Sequence, residues 1–96
     1  EASRRHGVHR VVYPTSIAVY GDQSDHGDAE LDEKTSPKPF SLYGAAKLAN
    51  EFAARAYSAN RDLDCRGLRI CTVFGHCRMT GRSAAASAMI SNVATG

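Results

Sequence analysis

The chain has 96 residues, 43% of them hydrophobic, and this size permits at most one small domain with a thin core. Twelve Lys and Arg against ten Asp and Glu give a net charge of +2 at pH 7, and the basic residues are scattered, which excludes the basic patch of a nucleic-acid-binding protein. No apolar run approaches the roughly 20 residues that span a bilayer, and the charged start does not resemble a signal peptide, so we expect a cytoplasmic protein without a membrane segment.

The three cysteines, Cys65, Cys71 and Cys77, are spaced by six residues, which matches neither a Cys-x-x-Cys pair nor a disulfide framework. We expect reduced thiols, as in a cytoplasmic protein. His76, beside Cys77, offers a metal site with Cys71 as an alternative, but structural metal sites normally pair their ligands closely in sequence. The sequence therefore predicts no metal site.

The first predicted elements are a helix end, a strand and a loop. Residues 1–6 are predicted to end a helix that Gly7 caps in the left-handed conformation. The β-branched and aromatic run His9–Tyr13, between Gly7 and Pro14, predicts a buried strand. The polar, acid-rich stretch from Gly21 to Pro39 predicts an exposed loop.

A long helix is predicted after the loop. Ser41 is a suitable capping residue, and from there to Asn60 strong helix formers dominate without an internal proline. Leu48, Phe52 and Ala56 recur every four residues. This spacing predicts one apolar stripe that holds the helix against the sheet.

A second strand and a further helix complete the predicted elements. The apolar run at residues 67–75 predicts a strand buried on both faces, because Ile, Val, Thr and Phe occur in it without strict alternation. The segment from Ser83 to Thr95 predicts an Ala-rich helix. Its predicted inner side comprises Ala86, Met89, Ile90 and Val93.

The order strand, loop, helix, strand, helix is typical of an α/β protein with a parallel sheet. Two strands with their helices cannot complete a doubly wound sheet, so we expect this segment to be part of one, with further parallel strands upstream. The chain also begins without a methionine and ends within a helical pattern. We therefore expect residues 1–96 to be a fragment of a longer protein.

Tyr43 and Lys47 are four residues apart in the long helix, which places them about 6 Å apart on one face. A neighbouring ammonium favours the phenolate form of a tyrosine, which can then take or give a proton near neutral pH. Gly44 and the small Ala45 and Ala46 leave the first helical turn uncrowded, so that a flat cofactor can approach closely. Ser16 follows the first predicted strand, at the edge where open parallel sheets bind ligands, and its hydroxyl can bond the oxygen that Tyr43 protonates. A surface Tyr–Lys pair and a turn serine are the alternative interpretations.

Three segments follow one another in a specific order: TSIAVYG, then PKPFSLYGAAKLANE after an acidic loop, then LRICTVFG. In this order the chain resembles the NAD-dependent epimerase/dehydratase group of the extended short-chain dehydrogenase/reductase superfamily. The resemblance implies that residues 1–96 are the central to C-terminal part of an NAD(P)-binding Rossmann-like domain. It also implies a cytoplasmic enzyme that acts by hydride transfer on a hydroxyl-bearing small molecule of the sugar or nucleotide-sugar type.

The same resemblance implies roles for five residues. Ser16 is implied to orient the substrate, Tyr43 to act as the catalytic acid/base, and Lys47 to activate Tyr43 and bind the nicotinamide ribose. Tyr43, Lys47 and Val73 are implied to contact NAD, and Ser16 and Thr72 the substrate. Members of this group commonly dimerise through the helix that carries the tyrosine and the lysine, so a homodimer is expected.

Three features depart from the family pattern. The glycine-rich phosphate-binding turn and the acidic residue that reads the adenine ribose are absent, so this chain alone is not expected to hold NAD tightly, and the choice between NAD and NADP is open. His76 stands where the family has proline. Thr72 stands where many sugar-nucleotide members have asparagine. The last two changes put the nucleotide-sugar substrate in question and leave the hydride chemistry in place.

Two other functions are alternatives. A non-catalytic dinucleotide-binding or regulatory relative would keep the fold without turnover, but a pure binder needs no activated tyrosine. A calcium-binding module would use Asp22–Glu33, which matches part of a calcium-loop pattern. His26 falls where an oxygen ligand is needed. A calcium loop also needs a helix on each side, whereas the segment VVYP precedes this one and SPKP follows it, which disfavours calcium.

Overall fold

The computed structural model describes residues 2–61, 63–75, 78, 80–81 and 84–95. Within these ranges the elements follow in the order α1 (Ala2–Arg5), β1 (Arg10–Ser16), α2 (Leu42–Arg61), β2 (Asp64–Ile70) and α3 (Ala84–Thr95). The two strands pair in parallel, with Arg10 opposite Asp64 and Ser16 opposite Ile70. The predicted α/β fold with a parallel sheet is confirmed.

Helix α1 ends as predicted, at a left-handed glycine. Gly7 has a φ of 66°, a conformation that glycine adopts without strain. The N–H of Gly7 donates to the carbonyl of Arg4 at 3.2 Å, and the N–H of Val8 donates to the carbonyl of Ser3 at 2.9 Å. These two bonds form a Schellman motif, which satisfies the last carbonyls of the helix and turns the chain towards β1.

Strand β1 differs from the predicted strand His9–Tyr13 at both ends. It passes through Pro14, which was predicted to be its boundary. Proline is tolerated at a strand position whose missing N–H faces away from the partner strand. The Pro14 carbonyl accepts a hydrogen bond from Nζ of Lys47 at 3.3 Å, which joins β1 to α2. As a result, Ser16 is the last residue of the strand, whereas the prediction placed it just beyond the end of the strand.

Helix α2 begins and ends within one or two residues of the predicted bounds. Oγ of Ser41 accepts a hydrogen bond from the N–H of Gly44 at 3.0 Å, so Ser41 caps the helix as predicted. The predicted apolar stripe, however, is wrong. Phe52 is 60% exposed and Ala56 is exposed as well, while Leu48 is half-buried.

The face of α2 that meets the sheet lies about one residue away from the predicted stripe. Gly44 and Glu51 are buried, and Ser58 is half-buried. Polar residues can occupy a buried helix face when their hydrogen-bonding groups are satisfied. Glu51 forms an ion pair with Arg69 of β2, and the Ser58 hydroxyl bonds two backbone groups near the start of that strand. These contacts, and not apolarity, determine which way α2 faces.

Strand β2 begins and ends earlier than the predicted strand at residues 67–75. It begins at Asp64, whose carboxylate accepts hydrogen bonds from Nε of Arg10 and Nε of Arg66, both at 2.6 Å. The prediction of burial on both faces is wrong, since Leu68 is 56% exposed. Helix α2 packs on both strands, and the side chains of the strand that point away from it stay accessible.

Helix α3 also presents a different face from the one predicted. Met89 is 71% and Val93 85% exposed, and Ala86 and Ile90 are exposed too, whereas Ser87 is completely buried. Ser87 accepts a hydrogen bond from the N–H of residue 75 at 3.2 Å, which explains its inward position. The predicted helix start, Ser83, lies outside the described residues. No helix in the described ranges is long and apolar enough to cross a membrane.

The stretch from Gly21 to Pro39 is an exposed loop, as predicted, and its two ends lie together. The N–H of Lys38 donates to the carbonyl of Val19 at 3.1 Å. Gly21 has a φ of 85°, and a Cβ there would overlap the Lys38 carbonyl, so glycine is required at the base of the loop. Val19 and Tyr20 are buried at this loop base, and Leu63 is buried at the opposite end of the sheet, just before β2.

Candidate active site

All five residues that the family resemblance singled out line one cleft. Ser16 lies at the end of β1, Tyr43 and Lys47 lie in the first two turns of α2, and Thr72 and Val73 follow β2. The cleft has a volume of about 830 Å³. It lies at the carboxyl ends of two parallel strands, the edge at which open parallel sheets bind their ligands. The fold therefore brings together residues from three separate parts of the sequence.

The Ser16 hydroxyl already accepts one hydrogen bond within the protein. Its Oγ accepts a hydrogen bond from the N–H of Ala18 at 3.2 Å and caps the short 3-10 turn Ile17–Val19. The backbone of Ser16 is extended, as usual for a capping residue. Because a hydroxyl has one proton in addition to its acceptor lone pairs, Ser16 can still donate to an oxygen in the cleft.

Tyr43 and Lys47 lie on the same face of α2, as their spacing predicts. Nζ of Lys47 is 5.6 Å from the centroid of the Tyr43 ring. The Tyr43 side chain is 58% exposed, so the ring is accessible from the cleft. The Lys47 ammonium donates one hydrogen bond to the Pro14 carbonyl, and an ammonium has three donors. The pair thus combines an accessible phenol with a cation that can serve a second ligand.

Gly44 determines how closely α2 approaches the end of β1. A Cβ at this position would overlap the carbonyl oxygen of Ala18, in the turn directly after Ser16, and would lie 3.1 Å from Cβ of Pro39. The expectation of an uncrowded first turn is wrong for Gly44, because the glycine is buried against this turn, whereas Ala45 and Ala46 are exposed. The missing side chain instead allows the start of α2 to lie against the turn that follows Ser16.

Thr72 and Val73 form the opposite wall of the cleft. The chain leaves the strand conformation after Ile70, and both residues are exposed in an irregular segment. This segment is held at its far end, where the N–H of Gly75 donates to Oγ of the buried Ser87. Cys71, at the same edge, is an exposed free thiol. The wall therefore offers a hydroxyl, a thiol and an apolar side chain to a ligand.

A buried ion pair next to the cleft was not predicted from the sequence. Arg69 donates from Nη2 to Oε2 of Glu51 at 2.7 Å and from Nε to Oε1 at 3.0 Å. Thr15 donates from Oγ1 to the same Oε1 at 2.8 Å. Glu51 is 7% exposed and Thr15 is buried too. The signal that could have revealed the pair is the arginine inside an apolar strand run, because a buried guanidinium requires an acceptor partner.

Glu51 and Arg69 stabilise each other's charged forms, and further residues are hydrogen-bonded to the pair. The hydrogen bonds from Arg69 lower the pKa of the Glu51 carboxyl against the opposing effect of burial, and the bond from Thr15 adds to the lowering. The bond to Glu51 raises the pKa of Arg69. Arg69 also donates from Nη1 to the Tyr20 hydroxyl at 2.6 Å, and that hydroxyl donates to the Asp32 carbonyl at 2.5 Å. One network thus connects α2, both strands and the loop.

Of the two metal-site alternatives, only the calcium loop lies within the described residues. His76 and Cys77 lie outside the described residues. Asp22, the first residue of the calcium-loop pattern, accepts hydrogen bonds at Oδ1 from the N–H and the hydroxyl of Ser24, both at 3.0 Å, and so caps a 3-10 turn. Over the part of the chain that the structure describes, no three His, Cys, Asp or Glu side chains are grouped to hold a metal ion.

A family model and several known proteins match this sequence. The sequence model of the NAD dependent epimerase/dehydratase family matches residues 1–96. Protein CapI of Staphylococcus aureus is 36% identical over 75 residues, and the UDP-glucose 4-epimerase of Corynebacterium glutamicum is 32% identical over 75 residues. Each of these alignments covers 78% of this chain and 22% of the relative, so the chain spans about a fifth of the length of the curated relatives it matches.

A solved structure with the same arrangement of elements is the apo form of a GalE-like L-threonine dehydrogenase from Cupriavidus necator. It superimposes with a TM-score of 0.80 at 29% sequence identity. The superposition covers 97% of this chain and 34% of the dehydrogenase. The fold of the described residues is therefore that of one segment of a larger Rossmann-type enzyme.

Proposed function

The chain belongs to the NAD-dependent epimerase/dehydratase family, and we propose that it forms the central to C-terminal part of the NAD(P)-binding domain of a longer cytoplasmic enzyme. The enzyme acts on a hydroxyl-bearing carbon of a small molecule of the sugar or nucleotide-sugar type. The observation that supports this proposal is the convergence of Ser16, Tyr43 and Lys47 on one cleft at the carboxyl edge of the sheet.

Each of the three residues has a task that its geometry permits. Tyr43, as the phenolate, takes the proton of the substrate hydroxyl on its accessible oxygen, and as the phenol it returns that proton in the reverse direction. Ser16 donates a hydrogen bond to the same substrate oxygen, because its lone pairs already serve the N–H of Ala18. The Lys47 ammonium, 5.6 Å from the ring centroid, stabilises negative charge on the phenol oxygen during the transfer.

The residues of the cleft fit a nicotinamide dinucleotide, NAD in our proposal. Lys47 has donors beyond the one that bonds Pro14, and these suit the hydroxyls of a ribose. Val73 is 59% exposed on the opposite wall and offers an apolar contact to a ring. A nicotinamide held there by Lys47 and Val73 would supply the hydride acceptor for oxidation of the substrate hydroxyl to a carbonyl.

The charges of the cleft support an anionic substrate such as a nucleotide sugar. Its lining residues include the cations Lys47 and Arg78, and the described lining contains no carboxylate. Thr72 lines the same cleft as Ser16 and offers a hydroxyl to the sugar. One relative is a UDP-glucose 4-epimerase, and a solved structure of the same fold is an L-threonine dehydrogenase. Both kinds of reaction start at a hydroxyl-bearing carbon, so the first step is common to them.

The full-length enzyme is also proposed to be a homodimer that pairs through α2. The outward face of this helix carries Phe52 and Tyr57, which are 60% and 41% exposed. Small residues, Ala53 and Ala56, lie between them and are exposed too. Aromatic side chains beside small ones suit a close contact between two helices.

Replacing Tyr43 by phenylalanine tests the proposed function in the full-length enzyme. Tyr43→Phe removes the proton-carrying oxygen, and we expect kcat to fall by about 10² to 10⁴, the usual contribution of a positioned acid/base group. The Kd for NAD should change little, because the ring itself is retained. Turnover is measured by the change in reduced nicotinamide or by product analysis over a panel of nucleotide sugars.

Tyr57→Phe is the matched control, since Tyr57 lies on the same helix but does not line the cleft. It should keep wild-type turnover. Equal turnover of the Tyr43→Phe and wild-type enzymes would contradict the assignment of Tyr43. A wild-type protein that binds NAD but turns over no member of the panel would favour the non-catalytic relative instead.

A further inference from the structure

Two hydrogen bonds connect the end of β1 to the middle of α2 beside the cleft. The carbonyl of Pro14 accepts a bond from Nζ of Lys47, and Oγ1 of Thr15 donates to Oε1 of Glu51 at 2.8 Å. Glu51 follows Lys47 by one helical turn. Ser16, the next residue after Thr15, is the substrate-orienting residue of the proposed mechanism. The two residues just before Ser16 are therefore tied to the helix that carries the other members of the site.

The Glu51 carboxylate is immobilised by contacts on both of its oxygens. Arg69 bonds Oε2 through Nη2 and Oε1 through Nε, which is a two-point contact between a planar guanidinium and a planar carboxylate. The Arg69 and Glu51 side chains are only 15% and 9% exposed, so water competes little for these bonds. Thr15 therefore hydrogen-bonds to a group that cannot rotate away from it.

We propose that Thr15 and Glu51 are positioning residues that set the distance between Ser16 and the Tyr43–Lys47 pair. The Thr15 side chain is 4% exposed and committed to Glu51, so it acts through its neighbour in the chain. If the bond is lost, the end of β1 can shift relative to α2, and one substrate oxygen no longer meets both hydroxyl groups. This inference rests on the proposed function, because it assigns a role within that site.

Thr15→Val is the substitution that isolates this bond in the full-length enzyme. Valine has nearly the shape of threonine and removes only the hydroxyl donor, while the Glu51–Arg69 pair stays intact. Glu51→Gln is less suitable, because it also removes the charge that pairs with a largely buried guanidinium and so lowers stability as well. Thr15→Ser restores a hydroxyl and serves as the conservative rescue.

Ser58→Ala provides a control for the loss of any hydroxyl bond between α2 and the sheet. The Ser58 hydroxyl donates to the carbonyl of Leu63 at 2.8 Å and accepts from the N–H of Cys65 at 3.0 Å. It thus joins the same helix to the second strand, but at the end remote from the cleft. A general weakening of helix–sheet packing would appear in this variant as well.

The readouts are single-turnover nicotinamide reduction, the KM of the substrate and the thermal midpoint. We expect Thr15→Val to lower the single-turnover rate by roughly 10- to 100-fold, the effect of a displacement near 1 Å in a reacting group, with KM within about twofold of wild type. Thr15→Ser should recover the rate to within about threefold. Ser58→Ala should lower the thermal midpoint and leave the rate unchanged.

The inference is overturned if Thr15→Val turns over at the wild-type rate, whatever its thermal midpoint. It is also overturned if Thr15→Ser is as slow as Thr15→Val, or if Ser58→Ala is slowed equally, since packing alone would then explain the loss. Its failure is distinct from failure of the proposed function. If only this inference fails, Tyr43→Phe is still far slower than the wild type. If the proposed function fails, Tyr43→Phe turns over like the wild type.

Discussion

Lys47 is held by the strand that it faces. Its Nζ bonds the Pro14 carbonyl and lies 5.6 Å from the Tyr43 ring centroid, so a backbone atom fixes where the charge sits. A cation on a flexible stem loses side-chain entropy when it is held in one place. In this site the backbone contact orders Lys47 before any ligand arrives. A pre-ordered cation binds its ligand at a lower entropic cost.

Substitution of Lys47 should weaken cofactor binding in the full-length enzyme. Lys47→Met removes the proposed charge-assisted hydrogen bond to the ribose. Such a bond contributes about 1.5–3 kcal/mol, so the Kd for NAD should rise roughly 10- to 150-fold. Lys47→Arg keeps the charge with a different donor geometry and should give an intermediate Kd. Isothermal titration with NAD measures the Kd of the wild type and of both variants. Lys34→Met, in the exposed loop, is the charge-matched control, and equal Kd values for wild type and Lys47→Met would leave Lys47 without a role in binding.

Because of the Glu51 carboxylate, the free energy of unfolding should depend on pH in the acid range. Its pKa is lowered from 4.5 in the folded protein, chiefly by hydrogen bonds from Arg69, so the charged form is stabilised by folding. This contribution is complete above pH 4.5 and is lost as the pH falls through the folded value. Glu51→Gln should cost about 1–3 kcal/mol at pH 7 and show a flatter decline of unfolding free energy in acid.

Urea unfolding between pH 7 and pH 3 measures this effect in the full-length protein. Glu30→Gln is the control, because Glu30 is an exposed carboxylate in the loop. Its stability curve should run parallel to that of the wild type. A Glu51→Gln curve that is also parallel to the wild type would show that the Glu51 carboxylate contributes no acid-sensitive stability.

At the scale of elements, α2 is positioned by its polar and small residues. The apolar residues Leu48 and Phe52 suggested one inner face, but Glu51 and Gly44 occupy it. A two-point ion pair requires a particular orientation, whereas apolar side chains tolerate many. Because the glycine permits contact at one end and the carboxylate anchors the middle, the helix has little freedom to rotate or slide along the sheet.

Gly44→Ala should disturb the start of α2. The added Cβ would overlap the Ala18 carbonyl, so the helix must move away from the turn after Ser16. We expect the free energy of unfolding to fall by about 1–3 kcal/mol and kcat to fall with it, because Tyr43 moves with the helix. Chemical denaturation and steady-state kinetics of the full-length enzyme report both quantities.

Gly75→Ala is the matched control, since no atom lies within 4 Å of the position of its Cβ. It should be tolerated at little cost in stability. If Gly44→Ala is as stable and as active as Gly75→Ala, the contact between α2 and the turn is looser than the structure indicates.

As a whole, the molecule is extended for its length. The radius of gyration is 17.0 Å, compared with about 12–13 Å for a compact domain of this size. In the described ranges the buried hydrophobic residues are Val19, Tyr20 and Leu63, while many large apolar side chains on α2, β2 and α3 are exposed. Burial of apolar surface is the main favourable term in folding, so little of it is available to this chain alone.

The isolated 96-residue chain should therefore be marginally stable. We expect it to aggregate with rising concentration, to bind a hydrophobic dye, and to show poorly dispersed amide resonances, because its strand edges and apolar faces are uncovered. The full-length protein should show none of these properties. A monomer with a cooperative thermal transition at low concentration would contradict this expectation.

The sequence by itself determined the class of fold and the position of the helices and strands to within a few residues. Local signals carried this information: Gly7 at a helix end, Ser41 at a helix start and the absence of proline through α2 act between near neighbours in the chain. The grouping of Ser16, Tyr43 and Lys47 was also predicted, partly from their place at element ends and mainly from resemblance to a family.

Only the tertiary structure decided which faces are buried and what holds the site together. The Thr15–Glu51–Arg69 contacts join residues from three elements, and their hydrogen bonds depend on distances that no local pattern encodes. The same cause explains the wrong faces assigned to α2 and α3, where satisfied polar residues, Glu51 and Ser87, took the inner positions expected for apolar ones. Burial is set by the partner across the interface, and a single helix sequence does not contain its partner.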